Sequence, residues 1–166
     1  MLSVIVATCL AFQLVGPSEL SGYRGIMPIK STRADVERLF GLPTDSKLQT
    51  YGFENETVRF HYSKYGCKQP PTVQGWPIPP IEGWNVPPDT VLAITVTLRR
   101  QVPLKSLDID LSGFKKVRGD SDVPTHFRYV NAETGLMIDL NGDGAAEIVG
   151  GFIYQPAAKY KNLRCP

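Results

Sequence analysis

A run of oxygen-bearing side chains near the C-terminal end of the chain could hold a metal ion. Residues 139–148 read D-L-N-G-D-G-A-A-E-I. Oxygen-bearing side chains stand at alternate positions, and a glycine lets the chain turn sharply between them, which is how a loop wraps a hard cation such as calcium. The sequence therefore predicts a calcium site made by Asp139, Asn141, Asp143 and Glu147.

The same loop has a second interpretation as a hairpin turn, because Asn-Gly and Asp-Gly are strong local signals for a turn between two strands. The loop also resembles the D-x-N-G-D-G-x-x-D calcium loops of FG-GAP and VCBS repeats. The matching positions are Asp139, Asn141 and Asp143, with Glu147 in place of the last aspartate. The resemblance implies calcium as a ligand and covers this loop alone.

The chain contains two histidines, His61 and His126. Neither has a metal-binding neighbour at helical or turn spacing, so a zinc site is not predicted. Ser121, Asp122 and His126 could be drawn as a hydrolytic triad, but no nucleophile elbow accompanies them, and such triplets arise by chance. His61 lies in an alternating segment and is expected to point to solvent. No catalytic residue is predicted.

Cys67 and Cys165 are predicted to form a disulfide. The third cysteine, Cys9, lies in an apolar N-terminal stretch that we expect to be removed, which leaves an even pair in an exported chain. The bridge closes a loop of about a hundred residues, worth about 4 kcal/mol in the chain-entropy model. Two unpaired thiols are the alternative.

Residues 1–22 are predicted to be a signal peptide. Residues 2–15 are nearly all apolar and contain no Asp, Glu, Lys or Arg, and small or polar residues follow. This stretch is too short to span a bilayer comfortably and matches the apolar region of a leader. We expect an exported chain, periplasmic or extracellular, with no transmembrane segment. A buried N-terminal helix or strand is the alternative.

The length and charge of the chain exclude several classes of protein. Its 166 residues fit one compact domain at 23–166, or two similar halves at about 23–100 and 101–166. The formal net charge is +2, which does not indicate the concentrated basic face that nucleic acid requires. We therefore expect no nucleic-acid partner.

Hydrophobic periodicity predicts an α+β fold, an antiparallel sheet with one or two short helices packed on one face. Thr32 and Asp35 form a capping pattern at the start of a helix over residues 33–40, and Gly41 ends it. The predicted strands are 57–62, 90–98, 107–111, 127–130, 136–140 and 147–154, with a helical turn at 114–117. Short linkers between the last three strands require antiparallel pairing.

A long proline-rich loop separates Cys67 from Asp89, and it contains two similar segments, each with one tryptophan. Prolines lack the backbone donor that a central strand needs, so we expect polyproline II and turns. Trp76 and Trp84 have two interpretations. They form an exposed aromatic surface that binds a partner, or a ring folds back onto the core.

Residues 25–43 resemble the opening of SmpA/OmlA (BamE-like) domains, in which a capped helix precedes a hairpin. The residues that carry the likeness are Gly25, Ser31, Thr32, Val36, Leu39, Gly41 and Pro43. The chain also resembles exported bacterial proteins that end in Asn/His-Leu-Arg-Cys, as residues 162–165 do. The first family acts in outer-membrane assembly or, in a duplicated form, inhibits secreted enzymes. The resemblance implies a partner that is another protein.

Two functions remain from the sequence. The first is a non-enzymatic module that binds another protein or associates with the envelope. The second is a small secreted hydrolase with His61 or His126 beside a carboxylate in a pocket. The polar residues are spread singly along alternating strands, which favours the first. Calcium at the Asp139 loop is compatible with either.

Overall fold

The computed structural model describes residues 21–64, 66–68, 72–73, 76–77, 83–118, 126–141 and 147–166. In this part of the chain a seven-stranded antiparallel sheet accompanies a single α-helix, α1, at Arg33–Phe40. The strands are β1 (Thr50–Gly52), β2 (Glu56–Tyr62), β3 (Thr72–Val73), β4 (Trp76–Pro77), β5 (Val91–Pro103), β6 (Lys115–Arg118), β7 (Phe127–Asn131), β8 (Leu136–Asn141) and β9 (Ile148–Tyr154). Short 3₁₀ segments lie at Gly66–Lys68, Leu104–Ser106 and Ala158–Leu163. The antiparallel sheet is confirmed, and strands make up most of the fold.

The predicted helix α1 is confirmed at both ends. The Thr32 hydroxyl accepts a hydrogen bond from the Asp35 backbone N–H, and an Asp35 carboxylate oxygen accepts one from the Thr32 N–H at 2.9 Å. Gly41 ends the helix with a φ of 76°, a left-handed value that glycine adopts without strain. Val36 is fully buried and Phe40 packs against the core, while Leu39 is exposed, so this short helix persists through the contacts of Val36 and Phe40.

The sheet order is β1-β2-β5-β9-β8-β7-β6, so the first and last parts of the chain meet at the β5–β9 pair. The first part of the chain contributes β1, β2 and β5 as a three-stranded antiparallel group, and the last part contributes β6, β7, β8 and β9 as a four-stranded one. The proposed boundary near residue 100 falls inside β5. The sheet is therefore continuous across it, while the likeness of the two halves stays a prediction.

One side of the sheet, called the core face, carries the hydrophobic core. Its buried strand residues include Val58, Phe60, Ile94, Val96, Ile138, Leu140, Phe152 and Tyr154. Val36 of α1 and Leu104 belong to the same cluster. The rings of Phe40 and Phe60 stack 5.9 Å apart, and the Tyr51 ring meets the Phe60 ring edge-on at 5.4 Å. Helix α1 and Leu104 thus pack against the core face.

Residues 107–118 differ from the prediction of a strand followed by a helical turn. Residues 107–111 are irregular, because their backbone groups bond locally: the Ile109 N–H donates to Leu107 and the Ser112 N–H to the Asp110 carboxylate. Leu107, Ile109 and Leu111 still pack on the core. The expected helical turn is instead β6, which pairs with the free edge of β7. The alternation of apolar residues in 107–111 indicated which side chains pack on the core. It could not show that no neighbouring strand pairs with this segment.

The proline-rich loop contains a short two-stranded ladder in which Thr72 pairs with Pro77 and Val73 with Trp76. This ladder was not expected, since the sequence predicted only polyproline II and turns. It places Pro77 in a strand that has one neighbour, where a missing N–H is tolerated. Residues 69–71, 74–75 and 78–82 lie outside the described part.

The predicted disulfide between Cys67 and Cys165 is confirmed, with the two Cα atoms 5.4 Å apart. The bridge joins residues 98 positions apart and fastens the C-terminal segment to the 3₁₀ segment Gly66–Lys68. Next to it, the Cys165 N–H donates to the Gly83 carbonyl at 2.8 Å, and the Asn85 N–H donates to Leu163 at 2.7 Å.

The predicted signal peptide, residues 1–22, falls almost wholly on residues that the structure does not describe. Among the helices that it does describe, none has the length and apolar character needed to cross a membrane.

The β7–β8 turn supports the C-terminal segment, and we predict that a methyl group at Gly135 disrupts it. Gly135 has a φ of 79°, and an added Cβ would overlap the Gln155 carbonyl oxygen. The left-handed backbone costs Gly135→Ala about 1–2 kcal/mol, and the overlap adds about 1–3 kcal/mol. Urea denaturation measures the loss in free energy of unfolding.

Gly25→Ala is the matched control, because Gly25 has a φ of 85° and nothing within 4 Å of an added Cβ. It should lose only the backbone contribution. Equal losses in the two variants would contradict the packing of the turn against Gln155.

Candidate functional site

The side of the sheet opposite the core, called the outer face, is the candidate site. It is built by strand register: Arg59 pairs with Thr95, Thr95 with Ile153, and Ile153 with Met137. Because side chains alternate along a strand, directly paired residues point to the same side. The outer-face residues include Thr50, Thr57, Arg59, His61, Ala93, Thr95, Thr97, Arg99, Lys115, Val117, Arg128, Val130, Met137, Asp139 and Ile153. Ala93, beside His61, is buried.

The middle of the outer face is apolar. Ile153, Met137 and Val130 are direct neighbours across β9, β8 and β7, and all three are half-buried. Thr95 extends this row onto β5. A row of three half-exposed apolar side chains on a flat sheet offers contact area without a cavity.

Two arginines stand at one end of this face. Arg59 and Arg99 are both exposed, and neither makes an ion pair with an acidic residue in the described part of the chain. Arg99 lies where β5 bulges, since residues 98–101 face Gly150 alone. Its guanidinium is 3.7 Å from the position of a Cβ on Gly52, which pairs with Thr57 and so confirms the side on which Arg99 lies.

His61 lies on the outer face, as its place in an alternating strand predicted, but it is half-buried. Its Nε2 is 3.3 Å from the Thr95 hydroxyl. Burial, and next the positive charge of Arg59, lower the pKa of His61 below its usual 6.5. The neutral imidazole is therefore the form that the folded protein prefers.

His126, Arg128 and Asp139 form an ionic cluster on the same face. One Asp139 carboxylate oxygen is 3.0 Å from His126 Nε2 and accepts a hydrogen bond from Arg128 Nε at 2.7 Å. His126 Nδ1 is buried, and no hydrogen-bond partner for it is found among the described residues. Ser121 and Asp122, considered above as triad members, lie outside the described residues. The carboxylate beside His126 is therefore that of Asp139. The two residues are far apart in the sequence, so the sequence did not indicate this pairing.

Two residues of the predicted calcium site, Asp139 and Glu147, make their hydrogen bonds on opposite sides of the sheet. Glu147 is bound on the core-face side by Lys116 at 2.8 Å and by the Tyr129 hydroxyl at 2.7 Å, and these hydrogen bonds lower the pKa of Glu147. Asp139 is bound on the outer face by Arg128. Within the described ranges, no three His, Cys, Asp or Glu side chains form a group that could hold a metal ion.

Asp143 is not among the described residues, and the Asn141 side chain lies beside Gly150. Calcium binding by Asp139, Asn141, Asp143 and Glu147 therefore stays a prediction. It would require Asp139 and Glu147 to exchange their present cationic partners for the metal.

The Trp84 ring is buried, which agrees with the interpretation in which a tryptophan ring folds back onto the protein. Trp84 is 6% exposed and pairs through its backbone with Arg164, whose guanidinium lies 5.2 Å from the centre of the indole ring. Trp76 is described only through its backbone in β4. An exposed surface made by both tryptophans therefore does not exist as predicted, because one of the two rings is buried.

Comparisons of the chain with models of protein families, with curated proteins and with solved structures find no match. The SmpA/OmlA and FG-GAP resemblances stay predictions.

The sequence did not indicate Arg59 and Arg99 as site residues. The available signal was the outward position of Arg59 in an alternating strand. Arg99 carried no such signal, because its place depends on the bulge in β5.

The lowered pKa of His61 predicts a pH-dependent stability. The unfolded chain, with the usual histidine pKa, binds a proton near pH 6.5, whereas the folded chain resists it until a lower pH. The free energy of unfolding should therefore fall as the pH drops below 6.5. The free energy of unfolding is measured by urea denaturation at two pH values, one near neutral and one about one unit below the usual histidine pKa. Its fall between the two should be smaller for His61→Gln than for the wild type.

Arg59→Gln is the intermediate case, since it removes the repelling charge and leaves the burial. Its fall should lie between those of the wild type and His61→Gln. An equal fall in all three proteins would mean that His61 is freely solvated.

Proposed function

We propose that the chain is a non-enzymatic binding module that works outside the cytoplasm and uses the outer face of its sheet to bind an acidic surface of another protein. The observation that carries this proposal is that the two faces of the sheet are packed unequally. Helix α1 and residues 104–114 pack on the core face, while Arg59 and Arg99 stand exposed on the other.

The chemistry of the outer face supports a protein partner. Protein interfaces combine an apolar centre with a polar rim. Here Ile153, Met137 and Val130 form the apolar centre, and threonines and arginines surround it. A surface on paired strands is already rigid, so little conformational entropy is lost when a partner binds.

The charge of the outer face supports an acidic partner. Arg59 and Arg99 lack acidic partners among the described residues, while Arg128 is matched by Asp139. Complementary charge raises the rate of association and excludes partners of the wrong sign. The partner should therefore present carboxylates opposite Arg59 and Arg99.

Export is supported by the disulfide, because such bonds persist in oxidising compartments and are rare in the cytosol. The periplasm, with or without association with the envelope, or the extracellular space is the proposed location.

A secreted hydrolase is the second candidate, and the His126–Asp139 pair is the observation that favours it. Two observations make it weaker than the binding module. Asp139 is shared with Arg128, and no hydroxyl or thiol is hydrogen-bonded to His126 Nδ1, so no activated nucleophile accompanies the pair in the described chain.

The test is charge reversal on the outer face. The mature protein is used to capture partners from its native envelope fraction, and each captured protein is then purified for kinetic measurement. Arg59→Glu/Arg99→Glu should lower the association rate constant by about tenfold at low salt, with a smaller difference at high salt.

The matched control is Lys30→Glu/Lys105→Glu, which makes the same change in net charge at two exposed lysines outside the outer face. This control should associate within about twofold of the wild type, a change of less than 0.5 kcal/mol in barrier. The proposal fails if both double variants weaken the association equally or if neither changes it.

A further inference from the structure

The disulfide lies at the surface of the protein. Of its two residues, Cys67 is exposed and Cys165 is half-buried. Exposed disulfides are the labile or regulatory ones, because an external thiolate can reach a sulfur while the chain stays folded. The exposure of Cys67 therefore distinguishes this bridge from one that is enclosed in a core.

The bridge fastens residues 158–165, called the strap. The 3₁₀ segment Ala158–Leu163, which makes up most of the strap, has no buried residue. Two backbone hydrogen bonds join the strap to residues 83–85, and the Arg164 guanidinium lies over the Trp84 ring. Ordering one residue costs about as much free energy as one hydrogen bond returns, so contacts of this number do not offset the ordering of the whole strap. The position of the strap therefore depends on the bridge.

The strap lies against the buried side chain of Trp84. Trp84 is 6% exposed, and its ring centre is 5.2 Å from the Arg164 guanidinium. The other residues that line the cavity beside Trp84 all come from the strap and the three residues before it: Gln155, Pro156, Ala157, Ala158, Lys161 and Arg164. Movement of the strap away from residues 83–85 therefore brings the indole ring into contact with water.

We propose that the Cys67–Cys165 disulfide is a site of thiol–disulfide exchange, and that its reduction by a dithiol releases the strap and uncovers Trp84. A thiolate of the dithiol attacks the Cys67 sulfur, the bond between Cys67 and Cys165 breaks, and Cys165 leaves as a thiolate. The second thiol of the dithiol then displaces Cys67 from the mixed disulfide. Two electrons pass from the dithiol to the protein, and the two cysteines take up the two protons that the dithiol loses.

The direction of attack matters for the strap. Because Cys67 is the more exposed partner, the incoming sulfur joins Cys67, and the leaving thiolate, Cys165, belongs to the strap. The strap is therefore released as soon as the mixed disulfide forms. Neither cysteine lies on the outer face, so this inference and the proposed function can fail separately.

The rate of reduction tests access to the bridge. Residues 23–166, the expected mature chain, contain Cys67 and Cys165 as their only cysteines. The chain is treated with dithiothreitol, and free thiols are counted by alkylation and intact mass. A bond that opens only through global unfolding is reduced about a thousandfold or more slowly in the folded chain than in urea. The folded chain should instead be reduced within about a hundredfold of the rate in urea, and a slower reduction overturns the proposal.

The fluorescence of Trp84 tests the release of the strap. Trp76→Phe leaves Trp84 as the one tryptophan, because the chain contains two. Reduction and alkylation should move its emission to longer wavelength and raise the acrylamide quenching constant at least about twofold, while circular dichroism keeps the signal of the sheet. Unchanged emission and quenching overturn the proposal, because the strap then stays in place. Loss of the sheet signal also overturns it, because the bridge is then a requirement of the whole fold.

Cys67→Ser/Cys165→Ser in the Trp76→Phe background is the matched variant. Without any dithiol it should show the emission and quenching of the reduced protein, and dithiothreitol should change neither. A response of this variant to dithiothreitol would mean that the change at Trp84 does not come from the bridge, which overturns the proposal. Emission and quenching equal to those of the oxidised protein would do the same.

Discussion

The pairing of β5 with β9 is the contact on which the rest of the structure depends. It joins the strands from the first part of the chain to those from the last part. Strands β2 and β1 continue the sheet beyond β5, and strands β8, β7 and β6 continue it beyond β9. One glycine of β9 makes the close approach possible, because a Cβ on Gly151 would overlap the Val96 carbonyl oxygen of β5. Next to Gly151, β5 bulges between Thr97 and Val102, and Arg99 of this bulge lies on the outer face.

A continuous sheet has two faces, and this chain covers them unequally. Helix α1 and residues 104–114 pack on the core face. Most residues of the hydrophobic cluster lie on this side of the sheet. The outer face keeps a row of apolar residues between charged groups, a composition that a buried layer would not tolerate but a binding surface uses. Function is thus proposed for the part of the outer face that is exposed at Arg59 and Arg99. The disulfide acts elsewhere, where it fastens the C-terminal segment to the 3₁₀ segment Gly66–Lys68.

Local features of the fold were predictable from the sequence, and pairings between distant segments were not. Helix α1 was predicted to the residue because Thr32, Asp35 and Gly41 act within a few positions. The meander of β7, β8 and β9 followed from alternation and short linkers. Residues 107–111 alternate as well, yet no strand edge is available to them, and alternation cannot reveal that.

The candidate sites were harder to predict for the same reason. His126 meets Asp139 through the pairing of β7 with β8, a matter of register. Asp139 and Glu147 are close in sequence and looked like one set of ligands, but the two carboxylates are bound to cations on opposite sides of the sheet. Trp84 had two open interpretations because the sequence does not show where the C-terminal segment runs, and Arg164 decides it.

The central claim is that a single sheet, joined at β5 and β9, unfolds as one unit and presents one rigid outer face. Native-state amide hydrogen exchange measures this directly, because it gives an opening free energy for each strand. The account predicts that the slowest amides of β2, β5, β8 and β9 share one opening free energy, equal to that of global unfolding. Two distinct values, one for β2 with β5 and another for β8 with β9, would contradict it, since they would mean that the halves open separately and the outer face is not a single surface.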